Sequence, residues 1–354
     1  MGSRPIKILK DLLLNLGAKE SSQLFYIVEN ADWIINRMGK DITENMRSLR
    51  LLQAHTTTTP WGLKKQIIHF GSLHTFCTQK GFLKLHSSNK IVLSCFHLMP
   101  LDPGIKWIKK AAKYVDLFHT SCQSTKERLL RFGLPSKKII TIPLGVDLNL
   151  FRPVSVHQKL KIRGALGLPQ KRLIIGSFQK DGIGWGQGLQ PKLIKGPDIF
   201  LQTVTALKKY KPFIFLTGPS RGYVKQGLTR AGIPYKHFYL KNYSDIGKMY
   251  NALDLYLITS RIEGGPSALL EAWASGVPIV STAVGMVPDL AKNTEDILLA
   301  EPTDIKSIVA ASEKMVQDQF LREKIIQNAL KKVQQYGWSK IIRRYYQEIY
   351  AQLL

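Results

Sequence analysis

The sequence predicts an α/β protein made of two domains, each built on a parallel sheet. First, short apolar or β-branched runs alternate along the chain with helical or turn-like segments, a pattern typical of parallel α/β sheets. Second, these runs form two sets, separated by the irregular, proline-containing stretch GVDLNLFRPVSVHQ at 145–158. Third, 354 residues exceed what one hydrophobic core usually supports, so two domains are expected.

The predicted strands follow one another in each half of the chain. In the first half they are FYIV (25–28), LRLLQA (49–54), QIIHFG (66–71), KIVLSCFH (90–97), VDLFHTS (115–121) and KIITIPLG (138–145). In the second half they are RLIIGSF (172–178), PFIFLTG (212–218), HFYL (237–240), LDLYLIT (253–259), VPIVST (277–282) and DILLA (296–300). From about residue 305 onward the chain is predicted to be helical. We therefore expect a first domain at 1–149, a second domain at 150–335, and a C-terminal helix at 336–354 that packs back on the first domain.

The charge balance is strongly basic. The chain carries 51 Lys+Arg against 25 Asp+Glu, a formal net charge of +26, and both halves share the excess. A hydrophobic content of 44% with 21% charged residues excludes an intrinsically disordered chain. Such a surface favours polyanionic partners, so nucleotide phosphates, anionic lipid, acidic glycans and nucleic acid are all open on charge alone.

Cysteine usage and hydropathy indicate a cytoplasmic protein. Cys77, Cys95 and Cys122 are widely spaced inside apolar segments, which favours buried free thiols over disulfides or a zinc site. The N-terminal run MGSRPIKILKDLLLNLG is broken by charge, lacks a small-residue cleavage site and is too short to span a bilayer. We expect a cytoplasmic location, at most peripheral to the inner face of a membrane.

One basic segment is a candidate for such peripheral contact. In GIKWIKKAAKYVDLF (104–118), four lysines spaced three and four positions apart form one stripe of a helix, offset from an apolar side. A helix of this kind either lies on anionic lipid or is a solvated face over a buried apolar one. Since the apolar side offers no exposed aromatic residue beyond Trp107, we favour the solvated face.

The stretch EGGPSALLE (263–271) is the strongest candidate for a ligand site. It places Glu263 and Glu271 eight positions apart, about 12 Å along a helix at 1.5 Å per residue. Their apolar neighbourhood is a costly place for an unpaired carboxylate, which favours a ligand over a helix cap or a solvated helix face. Between them a glycine turn and a helix start offer backbone NH groups to an anion, from Gly264, Gly265, Ser267 and Ala268. A sugar nucleotide, with sugar, diphosphate and ribose in line, fits this layout.

Five segments in one order resemble glycosyltransferase family 4, the retaining GT-B enzymes. They are FHLMP (96–100), IPLGVDLNLF (142–151), LIKGPD (193–198), SRIEGGPSALLEAWASGVPIVST (260–282) and VGMVPDL (284–290). The similarity is dense from about residue 90 to 300 and thin before that. The resemblance implies the GT-B fold, in which two Rossmann-like parallel-sheet domains face each other across a cleft.

The resemblance also implies roles for residues of the second domain. Glu263 is similar to the glutamate that contacts hydroxyls of the transferred sugar, and Glu271 to the one that binds the ribose diol. Lys195 matches the lysine that holds the diphosphate, where a fixed ammonium stabilises the charge that develops as the nucleotide leaves; a plain loop lysine is the alternative. Many family members also carry an arginine after the preceding strand. This chain has SFQKDG there, so Lys180 is the substitute candidate.

Further positions complete the expected site. His97 ends the predicted strand KIVLSCFH, and the family often has a histidine there that faces sugar and acceptor; a structural histidine is the alternative. We therefore expect catalytic roles for Glu263, His97 and Lys195. Leu240, at the end of HFYL, is counted with the donor-binding residues. Asp147 lies in the family's linker motif and is expected to order the hinge without a catalytic role.

The resemblance implies a reaction without a metal or cofactor. No D-x-D sequence occurs, and no His or Cys spacing is typical of a metal site. The implied donor is a UDP- or GDP-sugar of hexose type, and the implied acceptor is a hydroxyl of a glycan, a lipid-linked molecule or a small molecule. In the family's retaining chemistry the acceptor attacks the face from which the leaving group departs, and the leaving phosphate takes its proton.

Two other functions stay open from the sequence. A nucleotide-sugar epimerase on the same fold would need an acid/base pair at the sugar and would release product without an acceptor. A basic nucleic-acid-binding protein would cluster Lys and Arg with interleaved aromatic residues, whereas the charge here is spread over both halves. The motif pattern favours the glycosyltransferase over both.

Overall fold

A computed structural model of the chain describes residues 3–18, 22–29, 34–96, 98, 104–240 and 242–354, and for residues 3–5 the backbone alone. The chain forms two compact units. The first comprises Met1–Leu144 and Trp338–Leu354, and the second comprises Gly145–Gly337. Each unit is built on one parallel sheet, which confirms the predicted α/β class.

In the described part of the first unit, six strands form one sheet. They are β1 (Leu24–Ile27), β2 (Ala54–Thr57), β3 (Ile67–Phe70), β4 (Lys90–Ser94), β5 (Leu117–Thr120) and β6 (Ile139–Thr141). Their order is β2-β1-β3-β4-β5-β6, and all neighbours are parallel. The helices are α1 (Ser3–Leu16), α2 (Ile34–Ser48), α3 (Leu73–Phe76), α4 (Ile105–Ala111) and α5 (Gln123–Arg131). Every residue of β1, β3 and β5 is buried, as expected of parallel strands covered on both faces.

The second unit repeats this architecture. Its strands are β7 (Ile174–Phe178), β8 (Phe213–Thr217), β9 (Tyr235–Phe238), β10 (Leu255–Ile258), β11 (Ile279–Thr282) and β12 (Leu298–Ala300). Their order is β12-β11-β10-β7-β8-β9, again parallel throughout. The helices are α6 (Val156–Ala165), α7 (Pro197–Ala206), α8 (Gly222–Arg230), α9 (Ile246–Asn251), α10 (Ser267–Ala274), α11 (Val287–Leu290), α12 (Ile305–Gln317) and α13 (Gln319–Val333). The last α-helix is α14 (Trp338–Tyr345), which continues into a π-helical turn at Tyr346–Tyr350 and belongs to the first unit.

The strand order of the second sheet indicates where a ligand would bind. From β7 the chain continues outward through β8 and β9, then returns to β10 on the other side of β7. The connections that follow β7 and β10 therefore leave the same sheet edge in opposite directions. In open parallel sheets, ligands bind at the carboxyl ends of the strands at such a switch point.

The observed strands match the predicted ones with two displacements. The predicted strand LRLLQA (49–54) was wrong, because α2 runs to Ser48 and β2 begins only at Ala54. These residues instead follow the C-terminal end of α2, where the Leu51 NH donates to the carbonyl oxygen of Met46 at 3.1 Å. The strand predicted at HFYL lies two residues earlier, as β9.

The predicted linker also contains structure. Its last three residues, VHQ, begin α6, whose N-cap is Ser155. Before that, the Asp147 carboxylate accepts hydrogen bonds from the NH groups of Asn149 (2.8 Å) and Leu150 (3.1 Å). Asp147 thus orders this turn, as the sequence suggested.

The basic segment at 104–118 contributes its apolar side to the first core. Helix α4 ends at Ala111, and Ile108 and Val115 are buried in the hydrophobic cluster of this unit. The four lysines are exposed, which supports the solvated-face interpretation. Among the described residues, no helix has both the length and the apolar composition needed to cross a bilayer. The three cysteines are free and buried, as predicted.

A buried polar network ties the C-terminal segment to the first sheet. His69 of β3 is hydrogen-bonded through Nδ1 to the Tyr350 hydroxyl (2.7 Å) and through Nε2 to the Ser94 hydroxyl (2.8 Å). Ser94 also bonds to His119 Nδ1 (2.8 Å), and His119 Nε2 bonds to the Tyr345 hydroxyl (3.0 Å). Burial lowers the pKa of His119 to about 4, and burial with the neighbouring His119 lowers the pKa of His69 well below its usual value. Both imidazoles are therefore neutral near pH 7.

The first unit is expected to lose stability as the pH falls from 7 to 5. The unfolded state binds protons on these histidines below about pH 6.5, whereas folded His119 binds one only near pH 4. Protonation therefore favours the unfolded state throughout this window, by about 2 kcal/mol at pH 5 for His119 alone. Urea unfolding at both pH values measures the loss, and His119→Gln should reduce the difference between them.

Exposed His86 provides the matched control for this experiment, because it lies in the same unit. His86→Gln should leave the pH dependence as in the unchanged chain. An equal pH dependence in the His119→Gln variant would show that the buried network is not its source.

Candidate functional site

Two connections meet at the switch point of the second sheet. One follows β7 and leads through a single turn at Leu193–Lys195 into α7, and the other follows β10 and leads into α10. The NH groups of Arg261 and Ile262 both donate to the carbonyl oxygen of Ile194, at 2.8 and 3.1 Å. The Arg261 guanidinium also binds Asp198 through two hydrogen bonds of 2.8 and 2.6 Å. These hydrogen bonds join the two connections directly, without a ligand between them.

The contact between the two connections brings Lys195 and Glu263 together. The Lys195 ammonium donates to Glu263 Oε1 at 2.6 Å, and the Ser260 hydroxyl donates to the same oxygen at 2.8 Å. The Glu263 side chain is 7% exposed and that of Lys195 is 18% exposed. A buried ion pair at a sheet edge is a fixed charge arrangement, and its ammonium retains donors for a further anion.

A third lysine, Lys192, interacts electrostatically with Lys195, Lys180 and Glu263. The pKa of Lys192 is lowered, first by partial burial and then by the positive charges of Lys195 and Lys180, whereas Glu263 raises it. Partial burial also lowers the pKa of Lys180. Such mutual repulsion shows that positive charge is concentrated here beyond what one glutamate neutralises. Lys192 was missed from the sequence, although its spacing of three residues from Lys195 in PKLIK was a usable signal.

The ammonium of Lys180 lies over the ring of Trp185, 3.9 Å from its centroid. Trp185 is 62% exposed and belongs to the glycine-rich stretch GIGWGQGLQP at 182–191. The Ser220 hydroxyl holds this stretch by donating to the carbonyl oxygens of Gly184 and Gly186, both at 3.1 Å. Lys180 is thus placed by a loop that is itself fastened to the connection after β8.

A buried ion pair supports the same region. Arg221 and Asp181 are both buried, with Arg221 Nε 3.0 Å from Asp181 Oδ1. The Arg221 guanidinium also donates to the carbonyl oxygens of Ser177 (2.6 Å) and Thr217 (2.8 Å). Burial raises the pKa of Asp181, and the guanidinium opposes that shift. This arginine, which sequence reasoning missed, joins the ends of β7 and β8 and so fixes the residue next to Lys180.

Glu271 is held by two tyrosines. The Tyr243 hydroxyl donates to its Oε1 at 2.7 Å, and the Tyr250 hydroxyl donates to its Oε2 at 2.9 Å. Glu271 is 6% exposed and Tyr250 is fully buried, while Tyr243 is 36% exposed. Burial and then the Glu271 charge raise the pKa of Tyr250 well above its usual value, so it stays a hydrogen-bond donor. Of its two tyrosine partners, Tyr243 is the more exposed.

The glycine turn lies between these two acids, as predicted. Gly264 and Gly265 precede α10, whose first residue is Ser267, and the first turn of a helix leaves NH groups without an intrahelical acceptor. Gly285 packs against this turn, since a side chain added there would overlap the carbonyl oxygen of Gly264. Ala268 lies in the first turn of α10 beside Ser267, so the predicted backbone donors belong to one helix start.

The remaining predicted residues lie elsewhere. Leu240 is half-buried and follows β9 at the carboxyl edge of the second sheet, three residues before Tyr243. His97 lies outside the described residues, so its expected role stays a prediction. The structure thus brings Lys195 and Glu263 together just before the glycine turn that starts α10, with Glu271 four residues into that helix, and Lys180 joins them only through its repulsion of Lys192.

Substitution of Gly196 is expected to destabilise the second unit, because Gly196 packs directly against Thr259, the residue that follows β10. Its φ is 62°, and a Cβ would overlap the carbonyl oxygen of Thr259, whose hydroxyl donates to the Gly196 oxygen at 2.9 Å. Gly196→Ala should lower the unfolding free energy by about 2 kcal/mol, or the melting temperature by about 4–8 °C. Differential scanning calorimetry measures this change.

Gly184 is the matched control, since its φ is 73° but a Cβ there would meet open space. Gly184→Ala should carry only the conformational cost of a positive φ, about 1 kcal/mol. Equal losses in the two variants would mean that contact with Thr259 is unimportant.

Two solved structures share the architecture of the chain. Anabaena Alr3699/HepE, solved in complex with UDP-glucose, aligns with a TM-score of 0.73 at 17% identity, over 94% of this chain and 100% of that one. Sucrose-phosphate synthase from Thermosynechococcus elongatus aligns with a TM-score of 0.73 at 15% identity, over 94% and 99%. The fold is therefore GT-B, with a Rossmann-like parallel sheet in each unit.

A match to a family of known proteins lies within the second unit. Residues 189–332 match the family described as Glycosyl transferases group 1. The lipopolysaccharide core biosynthesis mannosyltransferase LpsB of Rhizobium meliloti is 28% identical over 185 residues, 49% of this chain and 49% of that protein. The chain spans about half the length of the curated relatives it matches. The match to the group 1 glycosyl transferases confirms the resemblance drawn from the motifs.

Proposed function

We propose that this protein is a metal-independent glycosyltransferase that moves a hexose-type sugar from a UDP- or GDP-sugar to an acceptor hydroxyl, with retention at the anomeric carbon. The observation that carries the proposal is the buried Lys195–Glu263 pair beside the start of α10, with Glu271 held by two tyrosine hydroxyls farther along that helix. Glu263 binds the sugar end of the donor, and Glu271 binds the ribose.

The charges fit a diphosphate between these ends. An ammonium group has three donors, and Glu263 takes one from Lys195, so the others can bind phosphate oxygens. Lys180 and Lys192 add positive charge nearby, and the start of α10 adds NH groups. This charge is in place before the reaction and stabilises the nucleoside diphosphate as it leaves.

In the proposed reaction, the bond between the anomeric carbon and the phosphate oxygen breaks as the acceptor oxygen bonds to the same face of that carbon. The acceptor proton passes to the leaving phosphate, so the products are the glycoside and the nucleoside diphosphate. Glu263 fixes the sugar by accepting its hydroxyl groups, and Lys195 takes the developing negative charge. His97 is expected to face sugar and acceptor from the first unit.

The names of similar proteins support this substrate class. One solved neighbour was crystallised with UDP-glucose, and one relative is named a mannosyltransferase. Several further relatives are named D-inositol 3-phosphate glycosyltransferase. We therefore place glucose and mannose first among candidate sugars and keep the acceptor class broad, as a glycan, a lipid-linked molecule or a small molecule.

Thermal shift with UDP- and GDP-linked glucose and mannose tests the donor assignment. A ligand at about one hundred times its Kd stabilises the native state by about 2.7 kcal/mol, which raises the melting temperature of a unit of this size by about 5 °C or more. ATP serves as the control nucleotide. Absence of a shift with all four sugar nucleotides would overturn the proposal.

Product analysis separates the proposed reaction from epimerisation. Transfer needs an acceptor, whereas an epimerised sugar nucleotide formed without one would support the epimerase instead. Addition of EDTA tests the proposed metal independence, because transfer should continue at an unchanged rate if lysines alone neutralise the diphosphate. A rate that falls with EDTA and returns with Mg²⁺ would contradict that part.

A further inference from the structure

Helix α1 of the first unit is held to the protein by polar residues. The Asn15 side chain is 1% exposed and donates to the carbonyl oxygens of Thr59 (2.8 Å) and Trp61 (2.9 Å). The Asp11 carboxylate accepts hydrogen bonds from the Thr58 NH (2.7 Å) and hydroxyl (2.6 Å). These residues lie four positions apart, on one face of the helix, and that face is turned toward the connection after β2.

The opposite face is apolar and lies in solvent. Ile6, Leu9, Leu13 and Leu16 are 58%, 58%, 61% and 62% exposed. Their spacing of three, four and three residues puts them on one stripe at 100° per residue, directly opposite the stripe of Asp11 and Asn15. An amphipathic helix of a soluble domain normally buries its apolar stripe, so α1 has the reverse orientation. A contiguous apolar patch of this kind marks a surface that something else covers.

The residues beside the stripe indicate what covers it. Lys10 is exposed and borders the apolar stripe, about 40° from Ile6 and about 60° from Leu13 at 100° per residue, whereas exposed Lys7 lies farther round the helix toward Asp11. The one acid of this helix, Asp11, points to the protein. Trp61, whose carbonyl oxygen holds Asn15, is itself 53% exposed beside the helix. Leucines bordered by a lysine, with an adjacent exposed tryptophan, are typical of helices that lie in the interface of an anionic bilayer.

We propose that α1 docks this protein on an anionic membrane surface, with Ile6, Leu9, Leu13 and Leu16 in the acyl boundary and Lys10 at the headgroups. The net charge of +26 attracts the whole chain to such a surface. A second copy of the chain is the less favourable occupant. A two-fold contact along this stripe would bring the lysines of two strongly basic chains together. The proposal differs from the sequence expectation for 104–118, whose apolar side is in the core.

Vesicle co-sedimentation tests the proposal on the full chain, with phosphatidylglycerol-containing vesicles compared with pure phosphatidylcholine. The chain should bind the anionic vesicles, and the double variant Leu9→Glu/Leu13→Glu should bind at least tenfold more weakly. Phe320→Glu is the matched control, because Phe320 is 80% exposed on α13 of the second unit and should be replaceable without effect. Circular dichroism and urea unfolding of the same variants show that they are folded, and a thermal shift with sugar nucleotides reports the proposed donor site of the second unit separately from docking.

Two outcomes would overturn the proposal. One is binding to anionic vesicles that the double variant retains in full, since charge alone would then explain it. The other is a chain that does not bind vesicles but forms a dimer that the double variant converts to a monomer in light scattering, which would assign the stripe to a second copy.

Discussion

Replacing Glu263 by alanine is expected to lower kcat of sugar transfer by about a thousandfold while changing the Kd of the free nucleotide less than about threefold. In the proposed function this carboxylate binds the sugar and not the nucleotide, so its loss is expected to act on the transition state. It also orients Lys195 at 2.6 Å, and without it the ammonium is no longer fixed where leaving-group charge develops. Initial rates at saturating donor and isothermal titration with UDP or GDP measure the two quantities.

Glu295 supplies the control for this variant. It pairs with Lys292 in the same unit at 2.6 Å, but both side chains are well exposed, and a surface pair of this kind contributes little. Glu295→Ala should leave kcat within about twofold. A Glu263→Ala enzyme with full kcat would remove this residue from the reaction.

Replacing Lys195 by alanine tests whether Lys195 and Glu263 act as one catalytic unit. If they do, Lys195→Ala alone should cost about as much kcat as the double variant with Glu263→Ala, because residues of one catalytic unit are strongly non-additive. Independent contributions would instead multiply. Steady-state rates of the two single variants and the double variant distinguish these cases.

The local motif could be predicted from sequence because its parts are close along the chain. Glu263, the glycine turn and Glu271 lie within nine residues, so a helix start between them follows from propensity and spacing alone. Lys195 is 68 residues away from Glu263, and its place there came from the family resemblance. The apolar neighbourhood of Glu263 in the sequence indicated a carboxylate that needs a partner, and the fold provides the Lys195 ammonium and the Ser260 hydroxyl.

The partners that were missed depend on strand order. Arg221 reaches Ser177 because β7 and β8 are neighbours, and Tyr250 reaches Glu271 because α9 packs against α10. A single sequence does not show which strands or helices are adjacent. For the same reason, α1 could be read as amphipathic from its sequence, but the face that contacts the protein could not.

Replacing Glu271 by alanine is expected to raise the Kd for UDP or GDP by about a hundredfold. The carboxylate is positioned by Tyr243 and Tyr250, and in the proposed function it accepts the two hydroxyls of the ribose diol. Loss of two charge-assisted hydrogen bonds at about 1.5 kcal/mol each amounts to about 3 kcal/mol, which is a hundredfold in Kd. Isothermal titration measures this change, and kcat at saturating donor should fall far less than in Glu263→Ala.

The tyrosines refine this test of the ribose assignment. Tyr250→Phe removes one donor to Glu271 but leaves the carboxylate, so the Kd should rise by less than about tenfold. Tyr243 is the more exposed of the two tyrosines, and a ribose hydroxyl can take the place of its own hydroxyl at the Oε1 atom. Tyr243→Phe should therefore leave affinity nearly unchanged or improve it, because the nucleotide no longer competes with an internal donor. A hundredfold loss in Tyr243→Phe would mean that this tyrosine holds the glutamate in the bound state, and an unchanged Kd in Glu271→Ala would remove the ribose contact altogether.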